Sequence, residues 1–288
     1  MKKIGFIGVG IMGKSMVRNL MKAGYEVAIY TRTKSKAEDV IAEGAVWRDT
    51  VKACVADRDV VITIVGYPKD VEEVYLGEEG IIACAPKGAY LIDMTTSSPK
   101  LAARIYDVAK EAGLSAIDAP VTGGDSGAKA GTLTILAGGD KEAFDACRPV
   151  FEAMGKNINY EGKAGNGQHT KMCNQIAIAG AIAGACEALS YAKGVGLDVQ
   201  TMLDSISTGA AGSAQMSNVI PRILKDDLNP GFFIKHFIKD MKLADEEAVD
   251  ADVKLGTLEY VLGMYEKLEK DGLGDLGTQA LIKYYGWE

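Results

Sequence analysis

The run Ile4-Gly-Phe-Ile-Gly-Val-Gly-Ile-Met-Gly13 constrains this chain more than any other segment, because a short apolar stretch closes in glycines at positions 8, 10 and 13. Such spacing after a strand serves three steric needs. Gly8 permits a tight turn, Gly10 lets a pyrophosphate approach the backbone, and Gly13 lets the following helix pack closely on the sheet. The anion would then rest on the exposed N–H groups that open the helix. A plain structural turn would carry the same letters, so the flanking pattern decides between them. Ile11 to Ala23 reads as an amphipathic helix, Gly24 ends it, and Glu26-Val-Ala-Ile-Tyr30 reads as a second strand. A β-turn-α-β unit of this kind makes Gly8, Val9, Gly10, Ile11, Met12 and Gly13 the expected seat of a dinucleotide.

Strand patterns continue at Val60 to Val65, Tyr90 to Asp93, Ser115 to Asp118, Leu133 to Ala137 and Ile158 to Tyr160. Helical patterns at 35–43, 69–76, 99–112 and 141–154 separate several of them, and Ser98-Pro99 places a good N-cap before a proline at the first helical position. This alternation predicts an α/β fold, a Rossmann-like, mostly parallel, doubly wound sheet over residues 1–162. After Tyr160 the strand pattern stops. A glycine-rich hinge, Gly162 to Gly167, leads into a long helix from Gln168 to about Val195 that is dense in alanine and glycine. Residues 163–288 are therefore expected to form an all-helical C-terminal domain. Its small-residue faces are either buried within one subunit or packed in a homodimer or homotetramer.

With 48% hydrophobic residues the chain has ample material for packed cores. A formal charge of −7 argues against nucleic acid as a partner. Five scattered cysteines without a C-x-x-C pair or neighbouring histidines are expected to be reduced thiols, not metal ligands. The first strand begins almost at Met1, and the most apolar stretch, Ile176 to Cys186, reads as too short to span a bilayer. These features predict a soluble cytoplasmic protein with no membrane contact.

Further chemistry sits at the C-terminal ends of the strands, where doubly wound sheets bind ligands. After the second strand stands Thr31-Arg32-Thr33, in place of the acid that would hold ribose hydroxyls. A guanidinium pairs with a 2′-phosphate, which favours NADP over NAD, although arginine also stacks on the adenine of either. Thr122-Gly123-Gly124 can wrap a carboxylate with a hydroxyl and successive N–H groups, or can be a flexible turn. Lys171, Asn174 and Gln175 share one face of the long helix near its N-terminus. The helix dipole, partial burial and a nicotinium charge would each lower the pKa of such a lysine towards a value useful in proton transfer; alternatively its stem merely covers apolar surface. His169 and His236 form no cluster, and Lys239-Asp240 has the default reading of a charged surface pair.

Taken in order, Phe6-Ile-Gly-Val-Gly-Ile-Met-Gly-Lys-Ser-Met16, Asp93-Met-Thr-Thr-Ser-Ser-Pro99, Asp118-Ala-Pro-Val-Thr-Gly-Gly124, Gly165-x-Gly-x-x-x-Lys171-x-x-Asn174 and Lys239-Asp240 resemble the β-hydroxyacid dehydrogenase family, typified by 3-hydroxyisobutyrate dehydrogenase. The resemblance covers nearly the whole chain. It implies an NAD(P)-dependent oxidoreductase acting on a small β-hydroxyacid or its semialdehyde, with Lys171 catalytic. It implies that Thr122, Gly123 and Gly124 hold the substrate carboxylate, that Asn174 positions the substrate, and that Val65, Gly66, Thr96 and Lys239 join Arg32 and Thr33 at the dinucleotide. Gln175 stands where the family commonly has a second Asn beside the substrate, Thr122 where Ser is common, and Val17 where a small residue follows Met16. The first two bear on substrate preference, so a succinic or tartronate semialdehyde reductase is the close alternative. Imine reductases share the architecture but usually lack the lysine, and a 6-phosphogluconate dehydrogenase would have a longer C-terminal half. A nucleotide-sensing protein without turnover is the alternative from a different class.

Overall fold

The computed structural model describes residues 1–287 and divides into two compact units, Met1–Lys171 and Met172–Glu288. The first unit holds strands β1 (Lys3–Ile7), β2 (Glu26–Tyr30), β3 (Val46–Trp47), β4 (Val60–Thr63), β5 (Tyr90–Asp93), β6 (Ser115–Asp118), β7 (Val121–Thr122), β8 (Leu133–Gly139) and β9 (Gly155–Gly162). Between them run α1 (Ile11–Lys22), α2 (Glu38–Ala42), α3 (Val51–Val55), α4 (Pro68–Leu76), α5 (Ile81–Cys84), α6 (Pro99–Glu111), α7 (Gly124–Ala130) and α8 (Lys141–Glu152). The expected strands and longer helices are all present, with ends shifted by a few residues. Ser98 caps α6 as its sequence predicted, accepting the Leu101 N–H.

The strands follow the order β3-β2-β1-β4-β5-β6-β8-β7, with β9 paired to β8. The first six are parallel neighbours, and the reversal of strand order between β1 and β4 is the switch point of a dinucleotide-binding sheet. Beyond β6 the sheet departs from that pattern, because β8 runs antiparallel to β6 and β7. Both faces are covered. Ile4, Phe6, Val60, Ile62, Ile92 and Ile117 point into one apolar cluster, while Ile7, Val61, Leu91 and Ala116 point into another. Two buried faces explain why these strands read as continuous hydrophobic runs.

Helix α9 (Asn166–Gly194) crosses the unit boundary, which falls inside it and not at the Gly162 hinge. Its first turns are bound to strand ends of the sheet, as described below, and so count with the first unit. Thereafter α10 (Val199–Ile206), α11 (Ile220–Ile223), α12 (Ile234–Asp250) and α13 (Gly256–Leu268) build a helical unit around Ile182, Cys186, Leu189, Phe237, Met241 and Tyr265. Phe233 and Gly277 form an antiparallel bridge there. The Ile176–Cys186 stretch is part of a 29-residue helix, which by length and composition could cross a membrane. Core helices of soluble proteins pass the same test, and this one buries Ala179, Ile182, Cys186 and Leu189.

Candidate active site

The glycine loop has the geometry its spacing requires. Gly8 adopts φ +101°, closed to most side chains, and a Cβ there would run into the Ile64 carbonyl. A Cβ on Gly13 would collide with the Gly8 carbonyl oxygen, so α1 approaches the turn as closely as a backbone can. Gly10 faces open space, with nothing within 4 Å of a Cβ, at the N-terminus of α1. An anionic pyrophosphate fits this arrangement: an open glycine, exposed helix N–H groups and the sheet's switch point coincide. Val9 is buried beneath the loop, while Ile11 is exposed and Met12 half-buried.

Arg32 follows β2 with its side chain 80% exposed, in an ion pair of 3.3 Å with Asp70. Asp70 itself is buried, and its second oxygen accepts the Tyr67 N–H at the start of α4. The guanidinium is thereby tethered at the strand end while most of its surface faces solvent. Thr33 is exposed beside it, and Val65 and Gly66, after β4, are half-buried.

The loop after β5 is held from below. Asp93 Oδ1 accepts the Thr63 hydroxyl at 2.7 Å and the Thr95 N–H at 3.1 Å, and Thr95 Oγ1 accepts the Val65 N–H at 3.0 Å. Thr96 projects from this loop half-buried, between buried Thr95 and Ser97. Thr122 ends β7, and Gly123 and Gly124 are exposed at the start of α7; the expected anion loop is a strand-to-helix junction, with positive φ at both glycines.

Lys171 is buried, with 7% exposure, which rules out a surface lysine draped over apolar residues. Five residues after α9 begins, it shares that helix with Asn174 and Gln175. In the second unit, Asn174 Nδ2 donates to Gln175 Oε1 at 2.7 Å, Gln175 Nε2 donates to Asp240 Oδ2 at 2.6 Å, and Lys239 Nζ lies 3.0 Å from Asp240 Oδ1. The Lys239-Asp240 pair is therefore not a surface feature. Asp240 is 1% exposed and joins α12 to α9, a role invisible in a Lys-Asp dipeptide because its partner lies 65 residues away. His169 is exposed, as expected of a solvated residue; burial and the charges of Lys239 and Lys235 hold the His236 imidazole below its ordinary pKa.

Two buried polar residues had no role assigned from the sequence. Asp118, at the end of β6, accepts the Gly165 N–H at 2.7 Å and the Gln168 N–H at 2.9 Å. Burial, with a contribution from Asp93, raises its carboxyl to about 7 despite those bonds. Gln168 is fully buried. Its amide accepts the Ser97 N–H at 2.9 Å and donates to the Thr95 carbonyl at 2.7 Å. The available signal was an acid ending an apolar strand, Ser-Ala-Ile-Asp118, repeated one strand earlier at Asp93.

Comparison with known proteins places this geometry. Residues 3–162 match the family model for the NAD-binding domain of 6-phosphogluconate dehydrogenase, and residues 165–285 match the one described as NAD-binding of NADP-dependent 3-hydroxyisobutyrate dehydrogenase. An uncharacterized oxidoreductase of Bacillus subtilis, YkwC, is 55% identical, with 99% of each chain covered. The probable 3-hydroxyisobutyrate dehydrogenase-like 1 protein of Arabidopsis thaliana is 46% identical over 97% of this chain and 84% of its own. Among solved structures, Mycobacterium tuberculosis 3-hydroxyisobutyrate dehydrogenase with L-serine superposes with a TM-score of 0.88, at 30% identity and 98% coverage of both chains.

Proposed function

This chain belongs to the β-hydroxyacid dehydrogenase family, and on that footing we propose that it oxidises 3-hydroxyisobutyrate or a close analogue, or reduces the matching semialdehyde, with NADP and with Lys171 as the proton-transfer residue. The burial of Lys171 near the start of α9 carries this proposal, because a lysine so placed is withdrawn from bulk water yet has the chemistry to exchange a proton. When bound, the dinucleotide supplies the nicotinamide carbon that takes or gives hydride. The Gly8–Gly13 loop and the N-terminus of α1 hold its pyrophosphate, Arg32 and Thr33 its adenosine end, and Val65, Gly66, Thr96 and Lys239 its remainder. In oxidation Lys171, as the amine, accepts the substrate hydroxyl proton while the carbon bearing that hydroxyl loses hydride. In reduction its ammonium returns that proton to the carbonyl oxygen. Thr122, Gly123 and Gly124 hold the substrate carboxylate, and Asn174 and Gln175 orient the rest.

Preference for NADP rests on Arg32, which follows β2 with an exposed guanidinium where an NAD site would have an Asp or Glu for the ribose hydroxyls. Tyr191, Val195, Val249, Val253 and Tyr260 are exposed on the helical unit, and this apolar surface supports a homodimer or homotetramer, to be read by light scattering. The activity is tested with 3-hydroxyisobutyrate, L-serine and methylmalonate, succinic and tartronate semialdehydes, each with NAD(H) and NADP(H), by nicotinamide absorbance. Lys171→Ala should bind NADPH normally and lose turnover by about three orders of magnitude. Near-normal turnover in that variant would remove Lys171 from the chemistry, and at least tenfold more efficient use of NADH would remove Arg32 as the selector.

A further inference from the structure

We infer that Asp118 and Gln168 are positioning residues that clamp the turn carrying Lys171 to the two residues flanking Thr96. Helix α9 is entered through Gly162 and Gly165, both at positive φ, a segment with little stiffness of its own. Helices α3, α6 and α10 are capped by the residue immediately before them, Thr50, Ser98 and Asp198. Here the cap comes from another strand: both oxygens of Asp118 receive N–H groups from the start of α9 across 47 and 50 residues of sequence. Gln168 then reaches in the opposite direction, across 71 and 73 residues, to Ser97 and Thr95. Thr96 lies between those two contacts, and Lys171 lies three residues beyond Gln168, about 4.5 Å along the helix and on the same side.

The fit is close. A Cβ on Gly167 would meet the Asp118 carbonyl oxygen at 2.7 Å and, closer still, the Leu136 carbonyl. Asp93 fixes the far end of the clamp through the Thr95 N–H. An apolar residue at 168 could fill the same volume, but it could not set the spacing of loop and helix through directional bonds. Burying a carboxylate is costly, and burial raises that of Asp118 to about 7, yet two separate acceptor oxygens are what receive the two N–H groups at the entry to α9.

The inference rests on Lys171 and Thr96 having the roles proposed above, and the test separates the two. Amide hydrogen exchange would be followed by mass spectrometry in the full chain, alone and saturated with NADP⁺, for the parent, Gln168→Ala and Gln168→Glu; the glutamate keeps the volume and the acceptor for Ser97 but loses the donor to Thr95. In the ligand-free protein both variants should raise exchange across 168–172 about tenfold without altering α1 or β4. With NADP⁺ the parent should gain protection at both 95–97 and 168–172, whereas the variants should keep the first and lose the second. In turnover, kcat should fall about tenfold with KM for the dinucleotide within threefold, and the deuterium isotope effect on kcat should rise. Unchanged ligand-free exchange at 168–172, or a fall in kcat with no change in isotope effect, overturns the clamp. Absence of any NADP⁺ or NAD⁺ effect on exchange at 95–97 in the parent instead overturns the dinucleotide site, leaving the ligand-free comparison to decide the clamp.

Discussion

Replacing Asp118 with Asn should change not only the stability of the protein but how steeply that stability depends on pH. In the folded chain the Asp118 carboxyl titrates at about 7, against an ordinary value of 3.8, because burial and the facing Asp93 outweigh the N–H bonds from Gly165 and Gln168. Between these values the folded protein holds a proton that the unfolded chain has released. Stability contributed by this group is therefore complete below pH 3.8, declines as pH rises and is lost above about 7. Each pH unit in that window is worth about 1.4 kcal/mol, so the whole passage amounts to roughly 4 kcal/mol, a large part of a typical folding free energy. Asn does not titrate. Its single carbonyl can serve only one of the two N–H donors, which costs about 1–3 kcal/mol at acid pH. The parent should thus exceed Asp118→Asn in stability at pH 5, converge with it as pH rises, and match or fall below it at pH 8. Comparing the two proteins cancels every group they share, so the gap between their melting temperatures, followed by scanning calorimetry, isolates this carboxylate and its coupling to Asp93. A shift of that gap by on the order of 10 °C between pH 5 and 8 is expected. A constant gap, or one that widens in favour of the parent as pH rises, would refute the reasoning: the two N–H bonds and the helix terminus would then outweigh burial.

Gly13→Val places a side chain against the Gly8 carbonyl oxygen, so α1 must move off the loop; about 1–3 kcal/mol of stability and at least tenfold in dinucleotide affinity should be lost, as read by thermal melting and NADPH fluorescence. Arg32→Asp sets a carboxylate where a 2′-phosphate would lie and adds a second acid beside Asp70, so the kcat/KM ratio of NADPH to NADH should fall about a hundredfold. Gln175→Asn shortens the side chain by one methylene, breaking its bond to the buried Asp240; a cost of about 1–3 kcal/mol and a raised KM for the hydroxyacid, with KM for the dinucleotide unchanged, should follow.

What the sequence reveals of this fold and site is what depends on near neighbours. The Gly8–Gly13 turn, the two-faced strands β1, β4, β5 and β6 and the Ser98 cap are each determined within a few residues, and each is legible. Direction and pairing are not local: nothing in Leu133–Gly139 marks β8 as running against β6, and Gly123-Gly124 reads as an anion loop or a flexible turn although α7 begins there. The same limit separates the site residues. Lys171 and the glycine loop belong to compact motifs, whereas Asp118, Gln168 and Asp240 acquire their roles from partners 47 to 73 residues distant. That distribution has a physical cause. A side chain that would touch a ligand is specified by its chemistry, which its identity displays; one that holds another in place is specified by what surrounds it, which only the folded chain assembles. Buried polar residues at strand ends are where the second kind collects, because the sheet stops supplying backbone partners there while the core still excludes water. Asp93 and Asp118 occupy register-paired positions on β5 and β6; Asp93 accepts the Thr95 N–H alongside the Thr63 hydroxyl, and Asp118 accepts the N–H groups of Gly165 and Gln168. One carries the loop bearing Thr96 and the other the helix bearing Lys171, so the spacing of those two residues is set by two adjacent, hydrogen-bonded strands.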